Sequence, residues 1–187
     1  LYQMSNIHKN RMTYSDAILS IDYAKKAISA IELITDKYPG FYQNMADAIA
    51  LSFENHLITD TSLLEEGLSC ISHAITIDPK YAKYYCTMGR LLILKKNYLE
   101  ARKVILYAID IENPAREDFS LRISEYQDVL VKCNIAEKMD SINSSLISFE
   151  NSKNQIKDDL DKIRNSVIEF VGFFAAIIAL VLTTVQI

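Results

Sequence analysis

The chain has 187 residues, with 20 Lys+Arg against 24 Asp+Glu and a net charge of -4, a balance that argues against non-specific nucleic-acid binding. Only 4 Gly and 3 Pro are present, against average usage of roughly 7% and 5%. That scarcity excludes many-stranded β folds, which need frequent turns, and phosphate sites cradled by glycine loops. Half the residues are hydrophobic and 24% are charged, which points to a folded chain of long helices with few connections. The cysteines, Cys70, Cys86 and Cys133, are odd in number and lack a C-x-x-C pair. They read as buried helical thiols in a reducing compartment, not as a disulfide framework. The opening Leu1-Tyr2-Gln3-Met4 reads as the interior of a helix with no signal peptide. The expectation is a piece of a longer protein.

Prolines stand at Pro39, Pro79 and Pro114, close to the period of a helical-hairpin repeat. Ala74, Ile75 and Ile77 recur one repeat later as Ala108, Ile109 and Ile111. Tyr14, Ala17, Ile21 and Ala24 share their spacing with Tyr98, Ala101, Ile105 and Ala108. Leu1, Met4, Ser5 and His8 line up with Tyr85, Met88, Gly89 and Leu92.

These positions resemble the tetratricopeptide repeat (TPR), a pair of antiparallel helices. Tyr85, Met88-Gly89 and Leu92 match the large and small residues of its first helix. Ala101, Ile105 and Ala108 match its second, with Pro114 closing the unit one place late. Small residues let neighbouring helices approach, and large ones fill the space left by the next hairpin. The match is good over Tyr81 to Pro114. Over Phe41 to Pro79 it holds only in the second half, through Gly67, Ile71, Ala74 and Pro79. The polar stretch from His56 to Ser62 reads as a lengthened loop, and the unit from Leu1 to Pro39 has an extended second helix. About three repeats are expected over 1–114, the first truncated. The resemblance implies a groove on the first helices, lined by Lys83, Cys86, Arg90 and Ile93 in the best unit and by Tyr2, Asn6 and Lys9 in the first. Such a mixed, mildly basic groove would hold an acidic segment or a C-terminal carboxylate of a protein or peptide partner.

Residues 115–134 read as a capping helix, with Glu117 and Asp118 suited to its N-terminal end and Leu121, Ile123, Tyr126, Val129, Leu130 and Cys133 facing the last hairpin. A heptad seam follows over 135–169. Ile135, Met139, Ile142, Leu146, Phe149, Ile156, Leu160, Ile163 and Val167 alternate at steps of four and three, and Lys153 takes one core place. This predicts a coiled-coil stem and a homo-oligomer. Asp159 would face Arg164 of a parallel neighbour, an exposed pair of small effect.

From Phe170 to Ile187 there is no charged residue, and eleven of the eighteen are Phe, Ile, Leu or Val. As a helix this spans about 27 Å, near the roughly 30 Å of bilayer hydrocarbon. Phe170, Phe173, Phe174, Ile177, Ile178, Leu180, Val181 and Leu182 are the expected lipid-contacting residues. Lys157, Lys162 and Arg164 precede the segment and no basic residue follows it, which predicts a single pass with the repeats facing the cytoplasm. The tail resembles the opening of the transmembrane region that closes many bacterial helical-repeat and effector proteins, where a second membrane helix often follows.

His8, His56 and His73 sit in no metal motif, and no paired carboxylates or activated nucleophile stand out. No catalysis, cofactor or metal is expected. The expected fold is all-α: helical hairpins, then a long helix running into a transmembrane helix. The expected function is a membrane-anchored interaction and oligomerisation module. Two alternatives fit the same layout. One is the regulatory and anchoring end of a larger bacterial effector, antiviral defence included, with its catalytic or sensor domain upstream. The other is a tail-anchored organelle adaptor, although no basic tail follows Thr183.

Overall fold

The computed structural model describes residues 1–11, 13–33 and 38–185, with side chains placed as far as Val181. Among these residues there are seven α-helices and no strand. They are α1 (Tyr2–Lys9), α2 (Tyr14–Ile31), α3 (Gly40–Glu54), α4 (Ser62–Ile77), α5 (Ala82–Leu94), α6 (Tyr98–Ile111) and α7 (Phe119–Val185). The fold is all-helical, short helices followed by one long helix with an apolar end, as the sequence leads one to expect. The chain divides into two units, Leu1–Lys138 and Met139–Ile187.

In the first unit, consecutive helices pair as α1–α2, α3–α4 and α5–α6, and α2 packs on α3 as α4 does on α5. The first helices also touch one another, α1 on α3 and α3 on α5. Small residues make these approaches possible. Ala17, Ala24, Ala46, Ala48, Ala50, Ala74, Ala101 and Ala108 are all buried. Gly89 of α5 is one such place, because a Cβ there would stand 2.4 Å from Ile105 Cγ1 of α6. One apolar cluster fills the first two hairpins around Met45, Ile49 and Ile71, and a second joins α5 and α6 to the start of α7.

Helix ends follow local chemistry. Thr13 caps α2 by accepting the Asp16 N–H at 3.1 Å, and Asn97 caps α6 by accepting the Glu100 N–H at 3.4 Å. Helices α3 and α5 end alike. Leu57 N–H reaches the Ser52 carbonyl and His56 N–H that of Phe53; Asn97 and Lys96 repeat the pattern on Leu92 and Ile93. Both ends are Schellman motifs, which place one residue in the left-handed region, here His56 at φ 55 and Lys96 at φ 61. Glycine adopts that conformation without the Cβ penalty. His56→Gly is therefore expected to stabilise the α3–α4 hairpin by about 0.5–1 kcal/mol, read as slower amide exchange across α3. Slower exchange in the wild type would contradict this.

The connection between α3 and α4 runs over 55–61, against 95–97 between α5 and α6, so the polar stretch after His56 is indeed a longer loop. Helix α7 begins inside the first unit. Tyr126, Val129 and Cys133 enter the cluster of α5 and α6, and Leu121 and Ile135 stay exposed. No break separates the expected cap, stem and apolar segment, since one helix covers all three. The compact unit ends at Lys138.

The second unit is the remainder of α7. Every expected seam residue in it, from Met139 to Phe170, is exposed. So are Phe170, Phe173, Phe174, Ile177, Ile178, Leu180 and Val181, while Leu182 lies outside the described side chains. Among the described residues one helix is long and apolar enough to cross a membrane. Its most apolar 18-residue window has mean hydropathy 1.7, with none of it buried.

Candidate functional site

The first helices of the three hairpins are tied together by one continuous run of polar contacts. Ser5 of α1 and Ser20 of α2 exchange hydrogen bonds, each hydroxyl donating to the other's carbonyl at 2.9 and 3.0 Å. Asn44 of α3 donates from Nδ2 to the Ser5 hydroxyl at 2.8 Å and accepts from Lys9 Nζ at 3.2 Å. Lys9 Nζ also lies 2.7 Å from Asp47 Oδ2. The other oxygen of Asp47 takes Arg90 Nη1 of α5, whose Nε and Nη2 form a fork on Glu54 at 2.8 and 2.7 Å. Ser5, Ser20 and Asn44 are buried, so each group must have partners, and each does.

Electrostatics follow from this arrangement. Burial acts to raise the Asp47 carboxyl, but Arg90 and Lys9 outweigh it and hold the group below the ordinary carboxylate range. Burial likewise opposes the charge on Arg90, and Glu54 with Asp47 more than restores it. Two of the cations expected to attract an acidic ligand are thus neutralised by the protein's own carboxylates.

A cleft of about 360 Å³ opens beside this cluster between α3, α5 and the first turns of α7. Asp47, Glu54, Lys83, Cys86, Arg90, Glu125, Asp128 and Lys132 lie on its walls. A more apolar cleft of about 300 Å³ adjoins it, lined by Phe53, Ile93, Leu94 and Val129. The structure therefore gathers Lys83, Cys86 and Arg90 around the first cleft, and Ile93 lines the adjoining one, which Arg90 shares. It brings Lys9 to Arg90 through Asp47. Tyr2 stands apart, packed edge-on against Phe41 at 5.1 Å between ring centres, and Asn6 lines neither cleft. Burial pushes the Cys86 thiol up to about 12 and that of Cys70 up to about 11, so both are neutral near pH 7.

The wall supplied by α7 is fixed by a second cluster. Tyr126 donates to Glu112 Oε2 at 2.6 Å, and Glu112 is itself buried at the end of α6. Arg122 holds Asp118 at 2.6 Å, donates to the Tyr81 hydroxyl and lies over the Tyr81 ring. Arg102 of α6 reaches Asn134 and Glu137 of α7.

Sequence reasoning missed Asp47 and Glu54. The signal was present but out of phase. His56 and Lys96 are equivalent cap residues 40 apart, while Ile71 and Ile105 are 34 apart. The longer loop shifts α3 by six positions against the register that matches α4 to α6, so α3 aligns with nothing when a single period is applied. Among the described residues no group of His, Cys, Asp or Glu is arranged to hold a metal ion. No family model matches the chain, and no curated protein matches it in sequence.

Proposed function

We propose that this chain is a membrane-anchored, oligomeric interaction module whose three hairpins are TPR-like repeats. The observation that carries the reading is that an apolar helical window with none of it buried continues the helix whose first turns wall the cleft. A helix apolar around its whole circumference needs either a protein interior or lipid, and the described chain gives it no interior.

Support for the repeat reading comes from the matched caps at His56 and Lys96 and from the close approach of Gly89 to Ile105. The cleft between α3, α5 and α7 takes a protein segment carrying an acidic side chain or a C-terminal carboxylate. Lys83 and Lys132 receive it, because Arg90 and Lys9 are already paired. The basic residues before the apolar segment support a cytoplasmic side for the repeats.

Membrane fractionation with an alkaline carbonate wash tests the anchor, using the full chain and one ending at Glu169. The full chain is expected to stay in the pellet and the shortened chain to be released. Release of both would show that the segment packs within protein, and the membrane reading would fall.

A further inference from the structure

The second unit presents a long apolar stripe that nothing among the described residues covers. From Met139 to Phe170 its seam residues other than Lys153 are between 55% and 68% exposed. A stripe that regular and that open marks a surface meant for a partner helix. We infer that the partner is the same helix from further copies of this chain, in a parallel bundle of three or four strands whose seam continues in one phase from the stem into the apolar segment. This rests on the membrane-anchored reading and gives it a stoichiometry, a direction and an extent.

Copy number follows from the shape of the core residues. Positions a and d of a heptad present their Cα–Cβ bonds to the facing helices at different angles, and the two angles exchange as strands are added. Two-stranded coils favour branched residues at a and Leu at d, whereas Leu at a with Ile at d moves the preference to three or four strands. Here Met139, Leu146 and Leu160 occupy a, and Ile142, Ile156 and Ile163 occupy d. Val167 is the one branched a residue in the stem.

Direction follows from the anchor and from charge. Helices inserted in one bilayer by the same end run parallel. In that direction Asp159 at g meets Arg164 at e of a neighbour, five residues on. In the single chain these groups make only exposed contacts along their own helix, Lys162 to Asp159 at 3.2 Å and Arg164 to Asp161 at 3.5 Å, which exchange readily. Lys153 sits at a. Side chains of a helix tilt toward its N-terminus, which carries the Lys153 ammonium toward Glu150 at e of the next copy. A buried lysine costs stability but holds every copy in one register.

Extent follows from phase. Counting on from Val167 at a and Phe170 at d, the next seam places are Phe174, Ile177 and Val181. The small residues Gly172, Ala175, Ala176 and Ala179 fall at b, c and f, on the opposite side of the helix. A Cβ added at Gly172 would meet nothing within 4 Å. The large apolar stripe therefore continues the stem seam, and the small face turns away from it.

The test uses the full chain purified in detergent, its mass measured by native mass spectrometry. Three or four copies are expected; one or two would overturn the proposal. Exchanging the branching, with Ile142→Leu, Ile156→Leu and Ile163→Leu together with Leu146→Ile and Leu160→Ile, is expected to lower the count to two. An unchanged count would overturn the assignment of strand number. One alanine inserted between Glu169 and Phe170 turns the apolar segment by about 100° against the stem. It is expected to lower the temperature at which the assembly dissociates, while duplication of residues 163–169, which keeps the phase, is not. Equal temperatures for both insertions would overturn the continuous seam. A chain that remains in carbonate-washed membranes yet runs as a monomer or dimer refutes the bundle alone. A chain released by the wash refutes the anchor on which it rests.

Discussion

Trimming Ile105 to alanine is expected to cost the third hairpin about 3 kcal/mol, within the 2–5 kcal/mol found for fully buried Ile, Leu and Met. Ile105 is 0% exposed and lies where α6 meets α5 over Gly89. The same contact makes Gly89→Ala unfavourable. A new Cβ would stand 2.4 Å from Ile105 Cγ1 and 2.9 Å from Cδ1, so the isoleucine or the helix must move. Overpacking of this kind costs about 1–3 kcal/mol, partly offset by the ~1 kcal/mol that alanine gains over glycine inside a helix. The two substitutions are therefore coupled. With Ile105 trimmed, the alanine at 89 has room, and the double variant is expected to be more stable than the sum of the single losses by about 1 kcal/mol or more. Peptide-level amide exchange over α5 and α6 of the full chain measures all three variants. A loss in Ile105→Ala of no more than about 0.5 kcal/mol, the range of surface changes, would sink the claim that this contact closes the hairpin.

Gly89 and Ile105 also mark what could be read directly. Both stood out because small and large residues recur at helical spacing, and packing makes that pattern obligatory. The long helix was legible for the same reason. An apolar stripe at steps of three and four, with no Pro or Gly from Ala136 to Val171, leaves the backbone no cause to break, and α7 does not break. Polar partners were harder. Ser5 reads as a small residue and Asn44 as a surface one, yet both are buried and bonded to each other. Such pairs carry no period, because a hydrogen bond needs only one donor and one acceptor brought together by the fold. Glu112 and Tyr126, which fix α7 against α6, belong to the same class. Asp47 was hidden twice, by the absence of a polar period and by the loop that shifts α3 out of register.

Asp47 is where removing one side chain is expected to loosen three helices at once. Among the described residues it alone joins Lys9 of α1 to Arg90 of α5, and its side chain is 19% exposed. Breaking a buried ion pair by deleting one partner typically costs about 3–5 kcal/mol, because the other charge is left without compensation. Arg90 keeps its fork on Glu54 and Asp47 retains some contact with water, so about 2–3 kcal/mol is expected for Asp47→Ala. Amide exchange in α1, α3 and α5 should rise together, since the lost group touches all three. A rise confined to α3 would show that the helices do not depend on the cluster. The dependence on pH has a definite sign. The folded carboxyl lies below its ordinary value, so the unfolded chain binds the proton more tightly. Stability from this group is complete above the unfolded value near 4 and is lost as the pH falls from there through the folded value. Asp47→Asn, which carries no such proton, is expected to flatten that loss, so the gap between wild type and variant should close as the medium is acidified. A gap that stays constant from pH 7 to pH 3 would mean that the Asp47 charge contributes nothing to holding the first helices side by side.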